Sequence, residues 1–340
     1  MRDSFVLWAI TGLSLSLGSP AVEAKSTVAP LRRVATIALP HVRGRIDHLS
    51  VDVAGRRLFV SALDNHTVEV VDVRAERWLR SLPGVKEPQG EYYAARLGKL
   101  FTADGAAGEV RVYRGRNLQL MSTVKLDLGP DAEAYDPATK RLYVGYGGED
   151  AGKAHGEVGI ISAVTDRHVG DIRTSAHPGA ILIGEPGRTV FITIPKTHRI
   201  SQIDALTGRI VATWSSRAGS PVSLALDRKH ARLFVGMRNP AAIEVFDSHT
   251  HRFITSLPSV GLMDGLFYDS LHHRIYASGG EGYVAVYRQS SRDRYAEIAR
   301  VPTGANARTS LWVRPLDRYY VAVPADGGRA ARVLVLQPVP

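Results

Sequence analysis
Short apolar runs alternate with charged turns along almost the whole chain, and one pattern is written seven times. A polar turn leads into an apolar strand, a charged hairpin follows, and then comes a β-rich run such as Arg57-Leu58-Phe59-Val60. The second residue of that run supplies the anchors Leu58, Leu100, Leu142, Val190, Leu233, Ile275 and Tyr319, spaced by about 42 to 48 residues. That is the period of a four-stranded propeller blade. A unit of this length cannot bury its own apolar face, so neighbouring units must pack on one another.

The clearest unit predicts its strands directly. Leu49-Ser50-Val51 reads as the inner strand, residues 52–57 as a hairpin turn, and Leu58-Phe59-Val60-Ser61 as the second strand. Thr67-Val68-Glu69-Val70-Val71 alternates as a half-buried strand does, and residues 78–82 form the outermost strand. Asp closes the inner strand again at Asp136, Asp227 and Asp269, whereas Ala94 and Gly184 stand there in the second and fourth units. Residues 147–153, rich in glycine and charge, predict a longer loop in the third unit. Near the C-terminus, residues 332–336 read as a third strand lacking a fourth, and residues 33–39 have the character of the missing one. Pairing them closes the ring and removes an exposed sheet edge. The expected fold is all-β: a seven-bladed β-propeller of four-stranded antiparallel blades, its last blade closed by an N-terminal strand.

Composition adds an address to this picture. Residues 1–24 read as a signal peptide: Arg2 gives a basic start, Phe5 to Leu17 is apolar but too short to span a bilayer, and Val22-Glu23-Ala24 offers small residues for cleavage. Cleavage near Ala24 leaves residues 25–340 as a single propeller domain, expected in the periplasm or outside the cell as a monomer that is not embedded in a membrane. The chain has no cysteine, which excludes disulfides, thiolate nucleophiles, thiolate zinc sites and covalent c-type haem. The net charge of +10 favours anionic partners: nucleic acid, lipopolysaccharide, another anionic polymer or an acidic small molecule. The charge is scattered, however, so a solvated surface serving solubility reads equally from it.

At Asp64-Asn65-His66-Thr67-Val68-Glu69-Val70-Val71-Asp72, following Arg57-Leu58-Phe59-Val60, the chain resembles the YVTN-repeat, YncE-like β-propeller family. Echoes recur at Ala242-Ile243-Glu244-Val245-Phe246-Asp247 and Ser201-Gln202-Ile203-Asp204, and no Trp-Asp dipeptide of the usual WD40 kind occurs. The resemblance implies an exported propeller with no single activity. Similar proteins are linked with single-stranded DNA, and related propellers include lyases, lactonases and quinoprotein subunits. A fold that carries so many functions leaves the function to be argued from the site.

Strand order places that site. The loops leading into the inner strands and the turns between second and third strands emerge on one face, around the mouth of the central channel. The lead-in loops bring Asp47, His48, Glu87, Gln89, Glu91, Asp131, Glu133, His177, Asp264 and Arg308 to that mouth. The candidate ligand-binding set is His48, Glu87, Gln89, Asp131, Glu133, His177, Asp264 and Arg308, for a small-molecule or protein ligand. His48 and His177 are the candidate ligands for a divalent metal, since imidazoles beside carboxylates suit a borderline cation. His66, Lys196, His198, Arg238 and Glu281 are expected farther out. On the opposite face Arg56, Arg57, Lys140, Arg141, Arg228, Lys229, His230, His272 and His273 gather as a candidate polyanion surface. The leading expectation is a binding platform. A lyase or lactonase using the His and carboxylate cluster with a metal, and a polyanion binder, are the alternatives. No His-Glu-x-x-His, Walker or nucleophile-elbow sequence occurs, so no catalytic residue is assigned.

Overall fold
The computed structural model describes Met1 and residues 29–339, so the expected signal peptide, apart from Met1, lies outside the described residues. Seven four-stranded antiparallel sheets form the ring, each with its strands in sequence order except the last. Blades 1 to 6 begin with the inner strands Leu49–Asp52, Pro88–Ala94, Glu133–Asp136, Ile181–Ile183, Ser220–Asp227 and Met263–Asp269. Blade 7 takes Ser310–Val313, Arg318–Val323 and Ala331–Pro338 from the C-terminal end, and Leu31–Leu39 completes it as the outermost strand. Leu31 pairs with Pro338 and Leu39 with Ala331, so the first and last described strands are tied into one sheet.

Alternation explains why the recurring run is written as it is. All the anchors from Leu58 to Tyr319 are fully buried, and each packs toward the preceding blade. The next residue, Phe59, Phe101, Tyr143, Phe191, Phe234, Tyr276 or Tyr320, points the other way. Phe59, for example, joins Leu100 and Tyr113 of blade 2, while Leu58 joins Tyr320 and Val333 of blade 7. Seven separate core clusters result, one between each pair of neighbouring blades. Small cores repeated around a ring let the chain exceed the size of an ordinary single core.

The outermost strand departs from simple alternation at the same place in every blade. One extra residue is inserted opposite the third strand, at Leu79, Met121, Val169, Val211, Ile254, Ile298 and Val34. These bulges interrupt the outer edges, which would otherwise present continuous unpaired backbone to another chain. The expected long loop of blade 3 contains a short 3-10 turn, Gly148–Ala151. Among the described residues no helix is long and apolar enough to cross a membrane.

Candidate functional site: the central channel
The inner strands of all seven blades wall a cavity of about 700 Å³ along the ring axis. One end is charged, with Arg45, Asp47, His48, Glu91, Asp131, Glu133, His177, Arg238 and Asp264. Farther along, the wall becomes largely apolar through Tyr92, Tyr135, Ile181, Ile183, Leu224, Leu266 and Phe267, with the Arg228 guanidinium at its far end. Backbone bonds fix the charged end: the Asp47 amide donates to the Ser61 carbonyl (2.7 Å) and the Asp131 amide to that of Gly145 (2.9 Å). Gly90 lets blade 2 press against blade 3, because a Cβ there would lie 2.1 Å from the Asp131 carbonyl oxygen.

Most charges at the mouth are paired. Arg45 donates to the buried Asp47 carboxylate at 2.8 Å. The His48 Nε2 stands 3.6 Å from Asp131 Oδ1 and 3.9 Å from Asp47 Oδ1, within ion-pair but not hydrogen-bond distance. Asp264 is paired with Arg238, and Arg308 Nε lies 3.6 Å from it. Glu91 is buried and accepts from Ser61 and Thr102, each at 3.1 Å. Glu133 differs: both its carboxylate oxygens are buried without a hydrogen-bond partner, as are Asp131 Oδ1 and Asp264 Oδ2.

Burial and charge then set the protonation states. Desolvation lifts Glu133 to about 8, with Asp131 adding repulsion and His48 opposing. Desolvation and the nearby Glu133 raise Glu91 well above the usual carboxylate range. Asp47 rises to about 6, again by burial, against the pull of His48 and Arg45. For His48 burial disfavours the charged ring, but the carboxylates of Asp131 and Asp47 outweigh it and bring the imidazole to about 9. Asp131 is held below its ordinary value: burial works against its charge, and His48 overcomes that. Near neutrality the mouth therefore holds an imidazolium beside an ionised Asp131 and a protonated Glu133.

The expected set divides in two. His48, Asp131, Glu133, His177 and Asp264 line the cavity, whereas Glu87, Gln89 and Arg308 do not. The Glu87 amide is held by Asp104 Oδ1 (2.9 Å), and Gln89 packs against Gly105 in the turn of its own blade. Arg238, expected farther out, lines the cavity and pairs with Asp264, and Arg45 was not singled out by the sequence at all. Its position two residues before Asp47, in the same lead-in loop, is the signal that could have found it. His66 points away, its ring bonded to the Lys86 carbonyl.

The two candidate metal ligands have partners of their own: His177 Nδ1 donates to the Gly147 carbonyl at 2.9 Å, and His48 stands beside Asp131 and Asp47. Among the described residues no three His, Asp or Glu side chains converge as metal ligands. On the opposite face, several of the expected cations are engaged within their own hairpins or with the neighbouring blade. His230 and His272 bond the buried Asp227 and Asp269 at 2.6 Å, Arg57 pairs with Asp52 at 2.5 Å, and Arg228 donates to the Gly184 carbonyl at 2.8 Å.

No protein-family model matches the chain, and no curated protein matches it. Among solved structures, a chain of Kuenenia stuttgartiensis hydrazine synthase is similar with a TM-score of 0.76 and 17% identity, over 88% of this chain and 98% of that one. A chain of a mitotic checkpoint complex is similar with a TM-score of 0.77 and 10% identity, over 98% of this chain and 99% of that one. At these identities the likeness concerns fold alone, and in fold this chain is a seven-bladed, WD40-like β-propeller.

Proposed function
We propose that this is an exported, monomeric propeller of the YVTN-repeat kind that binds a small molecule in its central channel. The ligand has a head rich in hydrogen-bond donors, hydroxyl or amine, and an apolar body. One observation carries the reading: a cavity of ordinary ligand size, about 700 Å³, holds at one end carboxylate oxygens that accept no hydrogen bond, and a largely apolar wall beyond. These are both oxygens of Glu133 together with Asp131 Oδ1 and Asp264 Oδ2, which meet only His48 and Arg308 at 3.6 Å. Buried acceptors without donors cost free energy that a donor-bearing ligand recovers. Native mass spectrometry of the protein purified from its own host, followed by a thermal-shift screen of donor-bearing metabolites, tests it. A ligand whose stabilisation is lost in Asp131→Asn and Glu133→Gln supports the channel site. Stabilisation indifferent to both substitutions places binding elsewhere.

A second reading, a proton-transfer enzyme of the lyase or lactonase type, draws on one feature: Glu133 near 8 and His48 near 9 share a cavity with the more acidic Asp131. Groups whose environments push their pKa values apart are what acid and base chemistry requires. It predicts a pH–rate profile governed by Glu133 and abolished turnover in Glu133→Gln. Polyanion binding rests on net charge alone, since many turn cations are already engaged. Its mark is affinity for single-stranded DNA falling steeply with salt.

A further inference from the structure
In each second strand the residues before and after the anchor share the face that looks toward the following blade. The residue after it is always aromatic; the one before it is usually a cation. Four of them reach the outer end of the next blade, whereas Arg57 pairs with Asp52 of its own hairpin. Lys99 bonds Asp166 at 2.6 Å, Arg141 donates to the Ala205 carbonyl at 2.9 Å, and Arg232 bonds Asp293 at 2.6 Å. Arg274 donates to the carbonyls of Pro30 (3.0 Å) and Val339 (2.6 Å).

Arg318 holds the same position on blade 7, facing blade 1. Its guanidinium bonds only carbonyls beside it, that of Asp317 at 2.9 Å and that of Leu316 at 3.5 Å. Where the neighbouring hairpin would meet it there is instead a cavity of about 380 Å³. Val73, Leu316, Tyr320 and Val335 form an apolar floor continuous with the core between blades 7 and 1. Arg56 and Arg74 join Arg318 around it, and among the described residues none of the three makes an ion pair within 4.0 Å. Glu76 occupies the hairpin position of Asp166, both at positive φ (51° and 54°), yet it stays outside ion-pair distance of Arg318.

We infer that this seam is a binding site for a small amphiphilic carboxylate. Its head takes the place beside Arg318 that Asp166 and Asp293 fill at other seams, and its apolar body extends the core between blades 7 and 1. Guanidinium forks match carboxylates bidentately, and three of them around an apolar floor select an anion with a tail over a free inorganic ion. The site lies on the face opposite the charged channel mouth, and it does not depend on the channel reading.

The test is isothermal titration of the full chain with octanoate, with octanol as the uncharged comparison. Octanoate should bind at one site, about tenfold or more tighter than octanol. Arg56→Ala and Arg74→Ala, both exposed and unpaired, should each weaken it about tenfold while leaving the melting temperature unchanged. Glu76→Gln should tighten binding several-fold by removing the acid of the pocket. Asp131→Asn in the channel should leave it unchanged. Octanoate binding that survives both arginine substitutions, or is lost in Asp131→Asn, overturns the proposal. So does binding seen only in Glu76→Gln, which would mean that Glu76 itself closes the seam.

Discussion
Neither oxygen of Glu133 meets a donor, so burial lifts its carboxyl to about 8 and the folded protein holds a proton that the unfolded chain releases near 4.5. A group raised in this way contributes stability that is present below the unfolded value and lost as pH rises through the folded one. Between pH 7 and pH 9 Glu133 alone should cost about 1 kcal/mol. His48, lifted from 6.5 to about 9, has the same sign, its contribution lost as pH rises through 9. Thermal melts of the wild type should therefore fall across that window, and Glu133→Gln should flatten part of the fall. If the glutamine variant melts with the same pH slope, Glu133 is already ionised at neutrality. The sequence brought His48, Asp131 and Glu133 to one mouth through strand order alone. It could not show which was unpartnered, because that depends on the reach of Arg45 and Arg238 across loops with no periodicity.

Strand elements were the most legible part, because alternation with a fixed period of two carries its own check. The Arg-Leu-aromatic run encodes both faces of a blade at once: the anchor packs backward and the aromatic forward. Truncating one aromatic should damage an interface between two blades. Phe101→Ala, at a fully buried position, should cost about 3 to 5 kcal/mol in urea unfolding. Inner hairpins obey a second local rule. Asp269 is fully buried and accepts from the amides of Leu271 (2.9 Å) and His272 (3.3 Å), the His272 ring (2.6 Å) and the Tyr276 hydroxyl (2.8 Å). Asp269→Ala strands these donors and should cost about 2 to 4 kcal/mol by the same measurement. A loss within 0.5 kcal/mol or so, as at ordinary surface sites, would show that water satisfies the turn. Legibility ended at the hairpin histidines. His230 and His272 read as surface cations, but the Asp three residues earlier claims each ring, an i to i+3 pairing visible only once the turn is formed.

At the scale of the ring, stability depends on one joint. Each blade interface has its own core, but only blade 7 is assembled from the two ends of the chain. Strand pairing from Leu31 to Leu39 against Ala331–Pro338 makes that joint, with a bulge between Arg33 and Ala35. Arg274 of blade 6 locks it, since one buried guanidinium holds the carbonyls of Pro30 and Val339, which lie side by side just beyond the Leu31–Pro338 end of the pair. The closing strand was readable from its apolar pattern, but this lock was not, because it links residues 274, 30 and 339 across the whole sequence. Removing it should loosen the joint before anything else: in Arg274→Ala, amide hydrogen exchange should rise in Leu31–Leu39 and Ala331–Pro338 while blades 2 to 4 keep their protection. A melting temperature lower by several degrees should accompany it, as expected for losing about 1 to 3 kcal/mol of charged hydrogen bonding. Exchange rising equally in every blade would mean that the ring opens as one cooperative unit, and that Arg274 stabilises the whole molecule, not its closing strand.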